Sequence, residues 1–436
     1  MIVCKFGGSS LADAYQFQKV KDIVSADPQR RYVVCSAPGR NPEHGHKITD
    51  LLYLCHQHAR AAISFDEVFD HIADRFRAIA EKLNVDVSLE ARLTDIRTRI
   101  ANETSPDYAA SRGEFLCGLI LARYLGFDFI DPAEIVFFGP ARKLDSEKTQ
   151  KAISERLSWH KQAVIPGFYG ADPEGSVVVF SRGGSDVTGA LIARGAQADV
   201  YENWTDISGL RMADPRIVDT PLRIETVTYR ELRELSYMGA TVLHDEAVFP
   251  VREAGIPVHI RNTDKPADSG TLIVASAEVT DAHGGLSGIA GRKDFTVIAM
   301  EKALMNLEVG FGRRVLDILA RHGVSYEHTP TGIDSFSVVV SDSQISGKLS
   351  DIVSDLQKEC RPDKIDLYSD MALIAVVGRG MAHRPGVAAR VFNALADTGI
   401  NVRMIDQGSS EINIILGVET KDFDEAVRAL YRAFVK

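Results

Sequence analysis

The sequence predicts an α/β protein: a sandwich around a mainly parallel central sheet, followed by two smaller βαββαβ units. Three observations predict it. Strand-like and helix-like segments alternate through the first 285 residues, which implies parallel strands joined by helical crossovers. Two of those strands run straight into glycine pairs and then into helices. Beyond them the chain carries a weak internal repeat.

In order, the strand candidates of the first part are residues 2–6, 31–36, 163–166, 177–180, 199–204 and 257–262. Each is short, rich in Val, Ile and aromatic residues, and bounded by Gly, Pro, Ser or Asp. Helical patterning fills 11–25, 50–62, 65–83 and 184–195. The long helical stretch from about 50 to 105 reads as an insertion covering one edge of the sheet. A Gly/Ala/Ser-rich stretch at 275–292 reads as the linker.

The first repeat copy has strands at 296–300, 325–329 and 336–341 and helices at 311–322 and 348–359. The second has strands at 372–377, 402–406 and 412–417 and helices at 387–397 and 423–434. In each copy a glycine, Gly323 or Gly399, stands just past a helix, where a left-handed residue closes the helix end. The second copy lacks a fourth strand, and residues 286–291 can supply it. The first unit is therefore expected to be inserted within the second. The domains so drawn are 1–285, 294–370, and 286–293 plus 371–436.

With 436 residues, 45% hydrophobic and 25% charged, the chain has the composition of a soluble enzyme of two or three domains. A net charge of −10 gives no reason to expect nucleic acid or a membrane surface as partner. Acidic substrates would have to meet a locally basic pocket. The five cysteines (Cys4, Cys35, Cys55, Cys117, Cys360) are scattered and odd in number, as for reduced thiols. Cys55, His56 and His58, close after His44 and His46, lie in a helical pattern that turns the two histidines apart, so no metal site is expected. No apolar run reaches the length of a membrane span, and the first strand candidate follows Met1 directly, leaving no room for a signal peptide. A cytoplasmic location is expected.

The chemistry is carried by the two glycine-rich elements. Lys5-Phe6-Gly7-Gly8-Ser9-Ser10 places a lysine at a strand end, then glycines that let backbone N–H groups approach an anion. A helix starting near Leu11 adds its positive end. The lysine precedes the glycines, so this is not a Walker A loop; taken alone it is equally an ordinary turn. Residues 180–188 repeat the design with a guanidinium, Arg182, and a carboxylate, Asp186. Arg182 can hold a substrate carboxylate with two parallel hydrogen bonds. Asp186 alone could simply complement a helix start. Two such elements in one domain argue for a shared anion site.

KFGGSS at 5–10, SRGE at 111–114, FSRGGSD at 180–186 and WTDISGLRMADPR at 204–216 together resemble the aspartokinases of the amino-acid kinase superfamily. So do residues 34–39 and Thr49-Asp50, and the two C-terminal units resemble ACT domains. The resemblance implies an amino-acid-kinase sandwich and transfer of the ATP γ-phosphoryl to the side chain of L-aspartate, the first step towards lysine, threonine and methionine. It implies Lys5 and Asp186 as catalytic residues, with Gly7, Gly8 and Ser9 beside Lys5 at the phosphates. It implies Ser36, Thr49, Glu114, Arg182 and Ser185 around aspartate. Thr205, Asp206, Asp214 and Arg216 would meet the nucleotide, and Mg2+ would be held mainly by the nucleotide phosphates and water. Asp214-Pro215-Arg216 is also an ordinary turn sequence.

Two positions depart from the family pattern. Arg211 stands where many aspartokinases have tyrosine, and Thr241 where they have a lysine. Arg211 is expected to return that charge by stacking on or reaching the nucleotide. The family's effector site maps onto Met305, Glu308, Phe311, Gly312, Ser325, Tyr326 and Glu327. Lysine is the implied inhibitor, with threonine or both as alternatives, in a homodimer or larger assembly paired through ACT sheets. Residues 377–383 (VGRGMAH) lack the third glycine and the following βαβ unit of a dinucleotide loop. Two other readings stay open on sequence: another amino-acid or carbamate kinase of the superfamily, or a non-catalytic amino-acid sensor.

Overall fold

The computed structural model describes the chain except residues 42–44, 103–104, 182, 241–242, 244, 279–281 and 436. It divides into two compact units that interleave along the sequence. The first comprises Met1–Leu210, Glu225–Tyr229 and Val242–Ala277; the second Arg211–Ile224, Arg230–Thr241 and Glu278–Lys436.

The strands of the first unit are β1 (Ile2–Phe6), β2 (Arg30–Cys35), β3 (Asp128–Phe129), β4 (Ala163–Pro166), β5 (Tyr169–Ala171), β6 (Val177–Val179), β7 (Val200–Thr205), β8 (Thr226–Thr228), β9 (Val258–Asn262) and β10 (Thr271–Val274). Eight of them form one sheet in the order β3-β4-β2-β1-β7-β9-β10-β8; β5 and β6 make a separate hairpin. Every pairing in the large sheet is parallel except β9 with β10. The chain leaves β1 towards β2 on one side, and β7 lies on the other. That reversal opens a crevice at the C-terminal ends of β1 and β7, where open α/β sheets bind ligands.

Helices α1 (Ala14–Ser25), α2 (Ile48–Arg60), α3 (Asp66–Leu83), α4 (Leu89–Asn102) and α5 (Pro106–Leu125) pack over one face. Asp13 caps α1 by accepting from the Gln16 amide at 3.0 Å. In α3, Phe69, Ile72, Ala73, Phe76, Ile79, Ala80 and Leu83 recur at helical spacing and are all buried. They join Cys4, Phe6, Val33 and Val164 of the strands in a single core. Within the stretch 50–105, α2, α3 and α4 pack chiefly against one another and against α1 and α5, and α5 in turn meets the strands. On the other face lie α6 (Ser146–Ser158) and α7 (Gly184–Gly195), α7 resting on β1, β2 and β7. The chain continues through α8 (Tyr229–Tyr237) and α9 (Phe249–Glu253).

The second unit is built on β11 (Gly288–Glu301), β12 (Ser335–Ser341), β13 (Lys364–Val377), β14 (Met404–Asp406) and β15 (Asn413–Glu419). They form an antiparallel sheet in the order β12-β11-β13-β15-β14. Its helices are α10 (Phe311–Arg321), α11 (Asp342–Ile345), α12 (Leu349–Asp355), α13 (Val387–Ala396) and α14 (Phe423–Val435). β11 and β13 are 14 residues each and serve both halves of the sheet. Gly288–Arg292 pairs with Leu373–Val377, and Phe295–Glu301 pairs with Lys364–Met371. Between the halves the register shifts, and Asp294 and Asp370 adopt φ of 71° and 57°. Aspartate tolerates that left-handed geometry, which kinks both strands at one level. Residues 325–329 form no strand; His328 makes an isolated bridge to Val339.

Candidate active site

β1 alternates sides. Cys4 and Phe6 enter the core under α1–α5, while Lys5 faces α7. There its Nζ lies 2.7 Å from Asp186 Oδ1, in the first turn of α7. Both side chains are largely buried, at 9% and 19% exposed. Burying two charges is tolerable only when they pair this closely.

The glycines after Lys5 serve close approach. The Gly7 amide donates to Trp204 O at 3.0 Å, joining the ends of β1 and β7. The Gly39 amide donates to Gly8 O at 2.8 Å. A Cβ on Gly39 would sit 2.6 Å from the Gly8 carbonyl carbon, so only glycine fits. Ser9 then opens a short 3-10 turn, Ser9–Leu11, aimed from the same strand end. On α7, Gly183 precedes the helix at φ 56°, and the Asp186 amide donates back to Gly183 O at 2.9 Å.

Of the residues expected around aspartate, Ser36 follows β2, while Thr49, Glu114 and Ser185 lie on α2, α5 and α7. The Ser36 amide donates to Phe6 O at 3.1 Å, just past β2. Ser185 lies under Gly167, where a Cβ would come within 2.6 Å of the Ser185 Cβ. Thr49 is half-buried in the first turn of α2. Glu114 is buried on α5, and its Oε2 has no hydrogen-bond partner among the described residues. Burial pushes its carboxyl up to about 8, while the amides of Ala37 and Glu114 and the charge of Arg112 pull the other way. Gly113 brings α5 against this corner, since a Cβ there would meet Ala37 at 2.8 Å. Arg182 and Thr241 lie outside the described residues, as does His44.

Of the expected nucleotide residues, Thr205 ends β7 and its hydroxyl donates to Asp206 at 3.0 Å. Arg211, Asp214 and Arg216 belong to the second unit. Arg211 Nη1 donates to Pro221 O at 3.3 Å. Asp214 accepts from the Arg216 amide at 2.8 Å and pairs with its guanidinium at 2.6 Å, which holds the Asp214 carboxyl below its ordinary value.

Sequence reasoning missed two groups beside this site. Asn203, buried on β7, donates to Asp186 Oδ1 at 2.8 Å. On the opposite side of the same strand, Glu202 accepts from Arg30 at 2.8 and 3.1 Å, Arg261 at 3.1 Å and Trp204 at 2.9 Å. Burial works against the Glu202 charge, yet the Arg30 pair leaves its carboxyl below the usual value. Glu-Asn in the middle of an otherwise apolar strand was the available signal.

Residues 1–262 match the amino acid kinase family, and 374–434 match an ACT domain. Aspartokinase 3 of Bacillus subtilis is 38% identical, covering 100% of this chain and 98% of the relative. This chain belongs to the aspartokinases. As one of them it is an aspartate kinase that phosphorylates aspartate with ATP under allosteric control. The solved Clostridium acetobutylicum aspartate kinase is 53% identical with a TM-score of 0.94, and each chain covers 100% of the other. Aspartokinase III of Escherichia coli has been solved with aspartate and ADP and with lysine and aspartate. These are 27% and 26% identical, with TM-scores of 0.77 and 0.76, over 100% of both chains.

The aspartokinase fold is an α/β sandwich with a mostly parallel sheet plus a curled antiparallel ACT-like sheet. In that second sheet, Met305 and Phe311 are core, and Gly312 lies against the Phe336 ring. Glu308 pairs with Lys302 at 2.5 Å and with Arg314; the Lys302 bond leads in holding its carboxyl below the ordinary value. Ser325 is exposed, as is Tyr326, and Glu327 accepts from the Tyr237 hydroxyl. Leu304, Leu307 and Val309 are exposed beside them. Among the described residues no helix is long and apolar enough to cross a membrane.

Proposed function

We propose that Lys5 and Asp186 are the catalytic pair of this aspartate kinase. The carrying observation is the 2.7 Å contact between them at the end of β1, where Gly8 and Gly39 approach too closely for a side chain on either. Lys5 supplies the charge that stabilises the migrating phosphoryl, and Asp186 holds Lys5 in place. Gly8 and Ser9 give backbone donors to the phosphates, and Gly7, whose amide is taken by Trp204 O, turns the chain towards them. Ser36, Thr49, Glu114, Arg182 and Ser185 hold aspartate, Glu114 meeting its ammonium group. That role suits the Glu114 carboxylate oxygen left without a partner among the described residues.

Thr205 and Asp206 are assigned to the nucleotide in the first unit, and the family resemblance assigns Arg211, Asp214 and Arg216 to it as well. No group of three or more His, Cys, Asp or Glu able to hold a metal occurs among the described residues. Mg2+ would be carried by the nucleotide phosphates and water, as this ion prefers. Bound there, it neutralises phosphate charge.

We assign two ACT domains, 294–370 and 286–293 plus 371–436, to the C-terminal sheet; the shared strands β11 and β13 support the nested order. Lysine is the effector, received near Glu308, Ser325, Tyr326 and Glu327 in a homodimer, with threonine tested alongside. The lysine-bound Escherichia coli relative supports this choice. The buried, free cysteines suit a cytoplasmic setting.

Aspartate-dependent ADP release, with and without lysine and threonine, tests the reading. Lys5→Ala should lose about 100- to 1000-fold in kcat. Full turnover in that variant would overturn the catalytic pair.

A further inference from the structure

Asn203 lies directly opposite Lys5 in the parallel register of β1 and β7. Paired residues on adjacent strands leave the sheet on the same face, so both side chains meet α7. Asn203 Nδ2 donates to Asp186 Oδ1 at 2.8 Å, the oxygen that also receives Lys5 Nζ at 2.7 Å. Two residues earlier on that face, the Tyr201 hydroxyl donates to the Asp186 carbonyl at 3.4 Å. Tyr201 packs so tightly under α7 that a Cβ on Gly189 would come within 2.3 Å of that hydroxyl. β7 therefore grips the first turn of α7 twice, once at its backbone and once at the catalytic carboxylate. Asn203 and Tyr201 are both buried, at 4% and 0% exposed, so neither bond is exchanged for water.

The two donors on Oδ1 differ in kind. Lys5 sits on a flexible four-carbon stem and has to reach towards the phosphoryl group during transfer. A carboxylate tethered to that ammonium alone would swing with it. The Asn203 amide is short, uncharged and fixed to a central strand. It anchors Oδ1 independently of Lys5 and does not compete with the phosphoryl oxygens for a positive charge.

We propose that Asn203 is a positioning residue for phosphoryl transfer: its amide pins the Asp186 carboxylate so that Lys5 stays aimed at the migrating group. The proposal rests on the assignment of Lys5 and Asp186 as the catalytic pair. The Asn203 side chain is engaged by Asp186. It acts through Asp186, so its effect falls on kcat and not on the binding of aspartate or ATP.

The test is steady-state ADP release by the full chain carrying Asn203→Leu, Asn203→Asp, Asp186→Asn, or Asp186→Asn with Asn203→Leu. Asn203→Leu should lower kcat about 10- to 100-fold, the usual loss for an orienting partner, with both KM values within about threefold of the parent. In the Asp186→Asn background the same change should add less than about twofold, because residues acting as a unit are not additive. An aspartate at 203 donates to Oδ1 only when protonated, so activity of Asn203→Asp relative to the parent should rise as pH falls from about 8 to about 6. That profile decides the matter even where Asn203→Leu fails to fold. Parent-like kcat in Asn203→Leu, additivity with Asp186→Asn, or a flat ratio for Asn203→Asp would each overturn the proposal. Parent-like turnover in Asp186→Asn would instead overturn the assignment beneath it.

Discussion

Lys5 Nζ lies 2.7 Å from Asp186 Oδ1, with the two side chains 9% and 19% exposed. Removing one partner leaves the other charge buried and uncompensated. Lys5→Met should therefore destabilise the protein by about 3 kcal/mol in urea unfolding, and adding Asp186→Leu should restore much of that loss. Neither variant should turn over. This separates what the pair does for catalysis from what it costs the fold.

Glu114 gives a pH signature. Its folded carboxyl holds a proton up to about 8, whereas an unfolded glutamate releases it near about 4.3. The folded state binds the extra proton between those values, so the ligand-free protein loses stability as pH rises through them, by up to about 1.4 kcal/mol per unit. Glu114→Gln cannot ionise and should flatten that slope, melting later than the parent at pH about 8 while its KM for aspartate rises. Thermal melts across pH, without ligands, check both parts.

Gly39→Ala tests the turn proposed to carry the phosphate donors. The new Cβ would meet the Gly8 backbone at 2.6 to 2.8 Å, where nothing flexible can yield. A loss of about 1–3 kcal/mol in stability is expected, with kcat falling as Gly8 and Ser9 are displaced. Turnover and unfolding at the parent's values would show that the turn relaxes freely.

Glu202→Gln should be among the most destabilising single changes in the first unit. It strips the charge that Arg30 and Arg261 share inside the protein, at a cost of about 3–5 kcal/mol. Melting temperature reports it directly. A drop below about 1 kcal/mol would mean that the two guanidiniums find other partners.

On the regulatory side, Glu308 is already engaged by Lys302 and Arg314. If lysine is received there as proposed, its ammonium would have to draw the carboxylate away from those cations. Glu308→Gln should raise the half-inhibiting lysine concentration about tenfold or more, the usual loss of a hydrogen bond to a charged group. Unchanged inhibition would move the effector elsewhere on this sheet.

Most of the first unit's architecture was legible because alternating apolar segments and glycine pairs directly encode crossovers and strand-end turns. Strands at Asp128–Phe129, Tyr169–Ala171, Thr226–Thr228 and Thr271–Val274 were not: two to four residues carry no period, and the equally short 163–166 and 177–180 were read from their Val and Ile content. Residues 325–329 have strand composition yet remain outside the sheet apart from a single bridge at His328. Lys5 and Asp186 were readable from their flanking glycines. Asn203 was not, because its partner lies in another element and only the register of β1 with β7 brings them together. Glu202 and Arg30 are 172 positions apart, and no local pattern joins them.

The long strands β11 and β13 also limit how this enzyme can be rearranged. Each passes from one half of the sheet to the other through a single aspartate kink, Asp294 or Asp370. No scissor cut in the chain frees one half with all its strands, because the outer half is nested inside the inner one like a parenthesis. Swapping in another protein's sensor would mean replacing everything from Gly288 onward as one cassette, or splicing at both kinks at once.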